Sequence, residues 1–418
     1  MSVDAAVAEV TTRARRAARA LGPRDRAAKD AALRLIARGL EAHTADILAA
    51  NAGDVARAKA QGTSAAFVDR LLLDEGRVRG MARAVEEIAE LDDPVGGVLS
   101  ETTRPNGLRV RRVRVPIGVI AMIYEARPNV TAEASALCLK AGNAVVLRGG
   151  SDAAASNGAI ARVLTEALEA AKLPVDAVQS LASTDRDAIR ALVQQTDTVD
   201  LVIPRGGEAL IRFVTENARV PVVQHYKGVC HLFVDAGADV GLATALAVDA
   251  KLRRPSACNA LECLLVDASD AARLLPPIAK ALVDGGCELR ADPRAREVVP
   301  SAKAATDADF GAEFLERVLA VKVVDGLDAA LAHVARYGSG HTEAICTRDD
   351  AHAARWRSEI DAACVLVNAS TRFHDGGELG LGAEIGIATS RLHWRGAMGL
   401  EALTTMKWLV DGDGQVRG

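Results

Sequence analysis

The first part of the chain, up to about Glu90, carries apolar residues at helical spacing with arginine and glutamate between them. This pattern predicts helices nearly throughout that stretch. The pattern changes at residues 101–116, where an Asn106-Gly107 turn signal lies beside alternating valine and arginine. We therefore predict a β-hairpin over 101–116. Such a polar ribbon needs further strand partners, and pairing with another subunit is one way of providing them.

Apolar runs of strand length then alternate with helical patterns from about residue 116 to 234. The predicted elements are strand 117–123, helix 131–141, strand 144–147, helix 153–171, strand 199–203 and helix 208–217. Alternation of this kind is typical of parallel strands joined by crossover helices. A second α/β stretch runs from about 236 to 388, and 400–410 is predicted to form a strand or a short helix.

Two glycine-containing loops follow predicted strands and open predicted helices. They are Arg148-Gly149-Gly150-Ser151 and Arg205-Gly206-Gly207. Glycine at such a place lets backbone N–H groups approach an anion at the helix N-terminus. Neither loop matches the full dinucleotide fingerprint, and glycine pairs also occur as plain turn chemistry. Two such loops with an arginine each favour a nucleotide site, with plain turns as the alternative.

Composition narrows the class of protein. A chain of 418 residues is expected to form two or more domains. Basic and acidic residues are interspersed and aromatic residues make up 3% of the chain, which argues against nucleic acid as a partner. The chain has no run of eighteen apolar residues and no apolar signal-peptide core at its start. We therefore expect a cytoplasmic protein without a membrane partner.

The seven cysteines argue for thiol chemistry rather than disulfides. Their number is odd, their spacing is irregular, and no Cys-x-x-Cys pair or zinc-type Cys/His spacing occurs. The sequence therefore predicts a reducing compartment and no metal.

Cys258 is the candidate nucleophile. Lys251, Arg253 and Arg254 precede it closely, and nearby cations favour the reactive thiolate. Asn259, directly after it, could donate a hydrogen bond to a developing oxyanion. The alternative is that Cys258 is a small apolar core residue, as most intracellular cysteines are.

Several longer motifs resemble those of one enzyme family. They include Tyr-Glu-Ala-Arg-Pro-Asn (124–129), Cys-Asn-Ala-Leu-Glu (258–262), Gly-Ser-Gly-His-Thr-Glu (338–343) and Asn-Ala-Ser-Thr-Arg-Phe (368–373). With these motifs the chain resembles the γ-glutamyl phosphate reductases, within the aldehyde dehydrogenase superfamily, over essentially its whole length. The resemblance implies an α/β, aldehyde-dehydrogenase-like fold. Its parts would be a Rossmann-type cofactor domain (1–100 and 117–235), an α/β catalytic domain (236–390) and a β oligomerisation arm (101–116 and 391–418).

The activity implied by the resemblance is the NADPH-dependent reduction of γ-glutamyl phosphate to glutamate 5-semialdehyde, the second step of proline biosynthesis. Cys258 would form a thioester intermediate. A homodimer or homotetramer and a glutamate 5-kinase are the implied partners. The alternatives are another member of the superfamily, either CoA-acylating or oxidative, and a non-catalytic paralogue acting as a binding protein.

The resemblance also assigns site residues. The backbone N–H of Cys258 and the side chain of Asn129 would hold the oxyanion. The motif is shifted there, so Arg127 could take that place and Asn129 could be a turn residue. Ser370, Thr371 and Arg372 would bind the substrate carboxylate, unless Arg372 is simply solvated.

For the cofactor, Arg148 would contact the adenosine ribose and a 2′-phosphate, with a surface ion pair as the alternative. Gly149, Gly150, Ser151, Gly206 and Gly207 would form the phosphate loops. Glu313 would hold the nicotinamide ribose.

One position departs from the superfamily pattern. Gln224 stands where oxidising aldehyde dehydrogenases carry the glutamate that activates water. An amide is not a general base at neutral pH, so the thioester should survive until hydride arrives. The neighbouring His225 could act as a base, but we interpret it as a structural histidine.

Overall fold

The computed structural model describes residues 2–181, 183 and 185–417. The chain divides into two compact units. The first comprises the residues up to Gln224, Gly380–Gly386 and those from Met398 onward. The second comprises His225–Leu379 and Ile387–Ala397.

The first unit begins with the predicted helical region. Its helices are α1 (Val3–Leu21), α2 (Arg26–Ala42), α3 (Thr44–Ala60), α4 (Ala65–Leu71) and α5 (Glu75–Glu90). The side chains of Ser2, Asp25 and Asp74 each accept a hydrogen bond from a backbone N–H in the first turn of a helix. Small and aliphatic residues at helical spacing are buried along α1, α2 and α5. The helical prediction up to Glu90 is confirmed.

The predicted hairpin is also present. It consists of β1 (Val98–Thr103) and β2 (Arg109–Pro116), which pair antiparallel. Gly107 in the connecting turn has a φ of 86°, a conformation that glycine adopts without strain.

A parallel sheet follows in the same unit. Its elements are β3 (Val119–Tyr124), α6 (Asn129–Lys140), β4 (Ala144–Gly149), α7 (Ala154–Ala170), β5 (Val178–Ser180), α8 (Arg186–Val193), β6 (Leu201–Arg205) and α9 (Glu208–Asn217). The strand order is β5-β4-β3-β6, so the chain reverses direction across the sheet between β3 and β6. This is the order of the first four strands of a Rossmann fold, in which ligands bind at the carboxyl ends of the strands.

The second unit is built on a seven-stranded parallel sheet. Its elements are β7 (Cys230–Val234), α10 (Val240–Leu252), β8 (Leu261–Asp267), α11 (Ala271–Asp284), β9 (Glu288–Ala291), α12 (Pro293–Val298), β10 (Lys303–Ala304), β11 (Val318–Val324), α13 (Gly326–Tyr337), β12 (Thr342–Cys346), α14 (Asp350–Glu359), β13 (Cys364–Val367), β14 (Ile387–Ala388) and β15 (Gly396–Ala397). The sheet order is β10-β9-β11-β8-β7-β12-β13. β8 is buried on both faces, and its alternate residues join two separate apolar clusters.

The last strand, β16 (Thr404–Asp411), is the third strand of the sheet that contains the hairpin. It pairs antiparallel with β2 from Thr404 opposite Pro116 to Asp411 opposite Arg109. A short 3₁₀ turn, Leu400–Leu403, precedes it. The segment 400–410, predicted as a strand or a short helix, thus contains a short helical turn followed by a strand. The second partner of β2 therefore comes from the same chain, and β1 remains at one edge of a three-stranded sheet.

The unit boundary lies eleven residues before the division drawn from the sequence at 235. The reason is that β7 pairs with β8 and β12 in the second sheet. Residues 391–397, placed in the arm from the sequence, also belong to the second unit. The functional roles given to these parts stay predictions. Among the described residues, no helix combines the length and apolar character needed to cross a membrane.

Candidate active site

Cys258 lies in the turn that connects α10 to β8, and its side chain is half-buried. The carbonyl of Cys258 accepts a hydrogen bond from the thiol of Cys230 at 3.3 Å. The backbone of Gly228 packs directly against that carbonyl, and a Cβ at Gly228 would collide with it. The turn is thus fixed by its neighbours, while Cys258 within it stays partly exposed.

Most of the other thiols are poor nucleophiles. Burial raises the pKa of Cys138 to about 12, and it raises those of Cys287, Cys346 and Cys364 to about 11. Burial also raises the pKa of Cys230 well above its ordinary value. Because only the thiolate attacks carbon, these cysteines are unreactive near neutral pH. Cys258, in its accessible turn, is the best candidate.

Two of the three cations that precede Cys258 in the sequence, Lys251 and Arg253, are paired with carboxylates. The Lys251 ammonium is fully buried and lies 2.5 Å from the Glu262 carboxylate. Arg253 pairs with Asp249 at 3.5 Å across one helical turn. Lys251 lies in the last turn of α10 and Arg253 directly follows the helix, so the two side chains leave it in different directions.

Two histidines instead stand beside Cys258. One potential donor atom each of Cys258, His225 and His341 lies within 4.8 Å of the others. The His225 Nδ1 is 2.9 Å from the Ile387 carbonyl, a contact that suits a structural histidine. The interpretation of His225 as structural did not include its proximity to Cys258. Sequence reasoning missed His341 as a site residue, although it stands in the Gly-Ser-Gly-His-Thr-Glu motif. Burial lowers the pKa of His341 well below 6.5, which keeps it neutral at pH 7.

The loop after β13 is joined to the residue that follows Cys258. Asn259 Nδ2 donates to the His374 carbonyl at 2.9 Å, and the Thr371 hydroxyl donates to the Asn259 carbonyl at 2.7 Å. The amide N–H groups of Asn259 therefore hold this loop instead of facing an oxyanion, contrary to our suggestion. Asn259 positions the turn that carries the nucleophile.

The three predicted carboxylate-binding residues lie on this loop. Thr371 is buried in its contact with Asn259, and the Ser370 hydroxyl accepts a hydrogen bond from the Arg372 backbone N–H at 3.3 Å. The Arg372 Nε is buried and has no hydrogen-bond partner among the described residues. Arg372 thus retains an unused donor.

Glu313 reaches the same region. Its Oε1 accepts a hydrogen bond from the Gly228 N–H at 2.9 Å, and Gly228 in turn packs against Cys258. The structure therefore places Glu313 and Cys258 on either side of one glycine.

The predicted cofactor residues around β4 lie in the first unit. Gly149 and Gly150 line a cavity of about 680 Å³ beside α7 and β5. Ser151 is exposed and opens the 3₁₀ turn that precedes α7. Arg148 is buried, donates to the Asp185 carbonyl at 3.4 Å, and has its pKa lowered by burial. This burial argues against a surface ion pair as its role.

The second predicted loop meets a carboxylate of the protein itself. The Gly207 N–H at the start of α9 donates to Glu125 Oε2 at 3.3 Å. A Cβ at Gly206 would come 2.5 Å from the same oxygen. An anionic ligand at this helix N-terminus would have to displace Glu125.

Two further predicted residues lie in the first unit. Asn129 begins α6, and its Nδ2 donates to the Glu133 carboxylate at 3.1 and 3.2 Å. The carboxamide oxygen of Gln224 is buried and accepts no hydrogen bond from any described residue. Their roles in the reaction stay predictions.

The histidine behind His341 makes the site sensitive to acid. His374 is fully buried with its Nδ1 2.8 Å from the Thr342 hydroxyl, and burial lowers its pKa from 6.5 to about 4. Between these values the unfolded chain binds a proton that the native protein does not. The free energy of unfolding should therefore fall as the pH falls through this window, by on the order of 3 kcal/mol from this group. Denaturant unfolding at several pH values should give a shallower slope for His374→Gln. Equal slopes for the two proteins would contradict this assignment.

The fold and the half-buried cysteine define a class of protein. The aldehyde dehydrogenase family model matches residues 2–293. The chain belongs to this family, as the resemblance implied, and within it to the γ-glutamyl phosphate reductases, on the similarities that follow.

A γ-glutamyl phosphate reductase from Sorangium cellulosum is 57% identical over 422 residues, which cover 100% of this chain and 99% of the relative. One from Xanthomonas oryzae is 57% identical over 390 residues, 93% of this chain and 94% of the relative. The crystal structure of the Thermotoga maritima γ-glutamyl phosphate reductase superimposes with a TM-score of 0.97 at 44% identity, covering 99% of this chain and 100% of that one.

Proposed function

We propose that this chain reduces γ-glutamyl phosphate to glutamate 5-semialdehyde and phosphate with NADPH, the second step of proline biosynthesis. The observation that carries the proposal is Cys258, an accessible thiol in a fixed turn, in a chain similar over its whole length to γ-glutamyl phosphate reductases. The names of those relatives support the substrate and the product.

Residues of this chain supply the nucleophile and the oxyanion donors of the proposed reaction. The Cys258 thiolate attacks the acyl carbon of the substrate, phosphate departs with the electron pair of the broken C–O bond, and a thioester remains. NADPH, when bound, supplies the hydride that takes the thioester to the aldehyde level. The Cys258 N–H and Asn129 stabilise the oxyanion in this proposal. Cys258 leaves as thiolate when the thiohemiacetal collapses, which restores the enzyme.

The residues around β4 fit a dinucleotide. Gly149 and Gly150 line a cavity of about 680 Å³, within the range of small-molecule and cofactor pockets. The buried guanidinium of Arg148 lies at the carboxyl end of β4, where Rossmann folds bind their ligand. We assign Arg148 to the 2′-phosphate, Gly149–Ser151 and Gly206–Gly207 to the phosphate loops, and Glu313 to the nicotinamide ribose.

Ser370, Thr371 and Arg372 would hold the substrate carboxylate, with the unused Nε of Arg372 as its principal donor.

Arg148→Ala should raise the Michaelis constant for NADPH much more than that for NADH. A charge-assisted hydrogen bond to phosphate is worth about 1.5–3 kcal/mol, or roughly ten- to a hundredfold in affinity. Steady-state kinetics with both cofactors measure the ratio. Arg162→Ala is the matched control, because Arg162 lines the same cavity. If Arg162→Ala alone changes the ratio, the phosphate contact belongs to Arg162 and our assignment is wrong.

We further propose a homodimer or homotetramer joined through the three-stranded sheet. Alternate residues of β16 place Met406, Trp408 and Val410 on one face of that sheet, and their side chains are 52–62% exposed. An exposed apolar face of this kind is typical of a protein interface.

Trp408→Glu should therefore shift the protein toward the monomer mass in size-exclusion chromatography with light scattering. Lys407→Glu is the matched control, because Lys407 points to the opposite face of the same strand, and it should leave the oligomer intact. A Trp408→Glu protein with the mass of the wild-type oligomer would exclude this face as the interface.

The structure describes all seven cysteines and none of them forms a disulfide, which supports our proposal of a reducing, cytoplasmic location. A glutamate 5-kinase that supplies the acyl phosphate is the proposed pathway partner.

The reaction run backwards tests the proposed function with stable reactants. Glutamate 5-semialdehyde should reduce NADP⁺ in the presence of phosphate and only slowly in its absence. Dependence on CoA instead of phosphate would identify a CoA-acylating enzyme. Rapid reduction with neither would identify an oxidative enzyme, and no reduction under any condition would favour a non-catalytic paralogue.

A further inference from the structure

The two histidines beside Cys258 are both fixed through Nδ1. His225 Nδ1 lies 2.9 Å from the Ile387 carbonyl. A carbonyl oxygen can only accept, so Nδ1 carries the hydrogen in the neutral ring and Nε2 carries the lone pair. Histidines that bind metal ions almost always donate the hydrogen of the second ring nitrogen to a carboxylate, a backbone carbonyl or water.

His341 also makes a hydrogen bond through Nδ1, but its partner is a hydroxyl, which can either donate or accept. Its Nδ1 lies 2.7 Å from the Thr342 Oγ1, which is also 2.8 Å from the Nδ1 of His374. The ring of His341 is fully buried, and its Nε2 has no hydrogen-bond partner among the described residues. A buried nitrogen without a partner is costly unless the site has another use for it.

The spacing of the three side chains suits a tetrahedral cation. Donor atoms of Cys258, His225 and His341 all lie within 4.8 Å of one another. In a tetrahedral zinc site, Zn–N and Zn–S bond lengths place neighbouring ligand atoms about 3.3–3.6 Å apart. The cluster therefore has to contract by little more than about an ångström, which side-chain rotation can supply.

We propose that Cys258, His225 and His341 form a binding site for a thiophilic divalent cation such as Zn²⁺. The Cys258 thiol releases its proton to water as the metal–sulfur bond forms, and the Nε2 atoms of the two histidines complete three protein ligands. Because Cys258 and His225 are half-buried, water takes the fourth position. The bound cation occupies the lone pair that attacks the substrate, so it inhibits the enzyme reversibly. Inhibition rests on the proposed role of Cys258, whereas binding does not.

The second unit offers an internal comparison. His231, Cys263 and His333 also lie within 4.8 Å of one another, but all three are buried. His231 is paired with the Glu343 carboxylate at 2.8 Å. A hydrated cation has no open position to enter there without disturbing the core, so we assign binding to the Cys258 cluster alone.

Cobalt titration of the full-length protein tests the binding. Wild type should bind one Co²⁺ per chain by equilibrium dialysis, with the tetrahedral visible bands and the near-ultraviolet thiolate-to-cobalt band. Cys258→Ser should lose the thiolate band, and Cys263→Ser should keep it. Thr342→Val removes the hydroxyl behind His341 but keeps all three ligands, and it should weaken Co²⁺ affinity by about 10–100-fold. A thiolate band that survives Cys258→Ser, or one lost only in Cys263→Ser, would overturn the assignment.

The inhibitory role is tested on the same proteins. Zn²⁺ should inhibit wild type and Cys263→Ser alike, a chelator should restore activity, and Thr342→Val should require about 10–100-fold more Zn²⁺. Cobalt binding at Cys258 without inhibition by Zn²⁺ would leave the site in place and overturn the inhibitory role. Absence of turnover in wild type would instead contradict the proposed function, while the cobalt spectra would still decide the site.

Discussion

Replacing Cys258 with serine is expected to reduce turnover by at least about 10³-fold while leaving NADPH affinity unchanged. A serine hydroxyl is not ionised near neutral pH, and the site then lacks a nucleophile that can carry the acyl group. NADPH consumption measures turnover, and quenching or enhancement of NADPH fluorescence measures binding.

Cys364→Ser is the matched control for this substitution. Cys364 is the other cysteine that is half-buried, but burial raises the pKa of its thiol to about 11. This variant should keep wild-type turnover. Activity of Cys258→Ser within about tenfold of wild type, a difference of only about 1.4 kcal/mol in the barrier, would exclude Cys258 as the nucleophile.

The second large effect is expected from a single methyl group. Gly228→Ala places a Cβ against the carbonyl of Cys258 and 3.0 Å from its Cα. One of the two backbone segments must shift, and a shift of the Cys258 turn displaces the sulfur; a displacement of about 1 Å in an active site can cost about 10²-fold in rate. We expect that loss in turnover, with a destabilisation of about 1–3 kcal/mol from overpacking.

Gly80→Ala provides the comparison, because Gly80 lies within α5 and, apart from its own stretch of helix, no described residue would lie within 4 Å of its Cβ. It should be neutral in activity and slightly stabilising, since alanine favours the helix. Denaturant unfolding and steady-state kinetics of both variants separate the two effects. Wild-type turnover in Gly228→Ala would show that the turn carrying Cys258 tolerates displacement.

The sequence predicts those parts of the fold that depend on local pattern. Helical spacing up to Glu90, the Asn106-Gly107 turn and the apolar runs now seen as β3 and β4 each follow from neighbouring residues. The motif resemblance supplies what local pattern cannot, namely the family. Neither local pattern nor the motif resemblance predicts the pairing of β2 with β16, because the two strands lie far apart in the sequence.

The surroundings of Cys258 depend on tertiary contacts and were harder to predict. Lys251 is near Cys258 in sequence, yet burial against Glu262 is what fixes its position. His225 and His341 are far from Cys258 in sequence, and parallel strands bring their segments together. For the same reason, Cys/His spacing along the chain gives no indication of the cluster that we propose binds a cation.

The measurement that tests the central claim most directly is mass spectrometry of the acyl-enzyme. Wild-type protein is mixed with glutamate 5-semialdehyde and NADP⁺ without phosphate, quenched rapidly in acid, and digested. Because Gln224 cannot act as a general base, the γ-glutamyl thioester should accumulate on the peptide that carries Cys258, and added phosphate should discharge it. An unmodified Cys258 peptide after NADPH has formed, or an acyl group on another cysteine, would contradict the account.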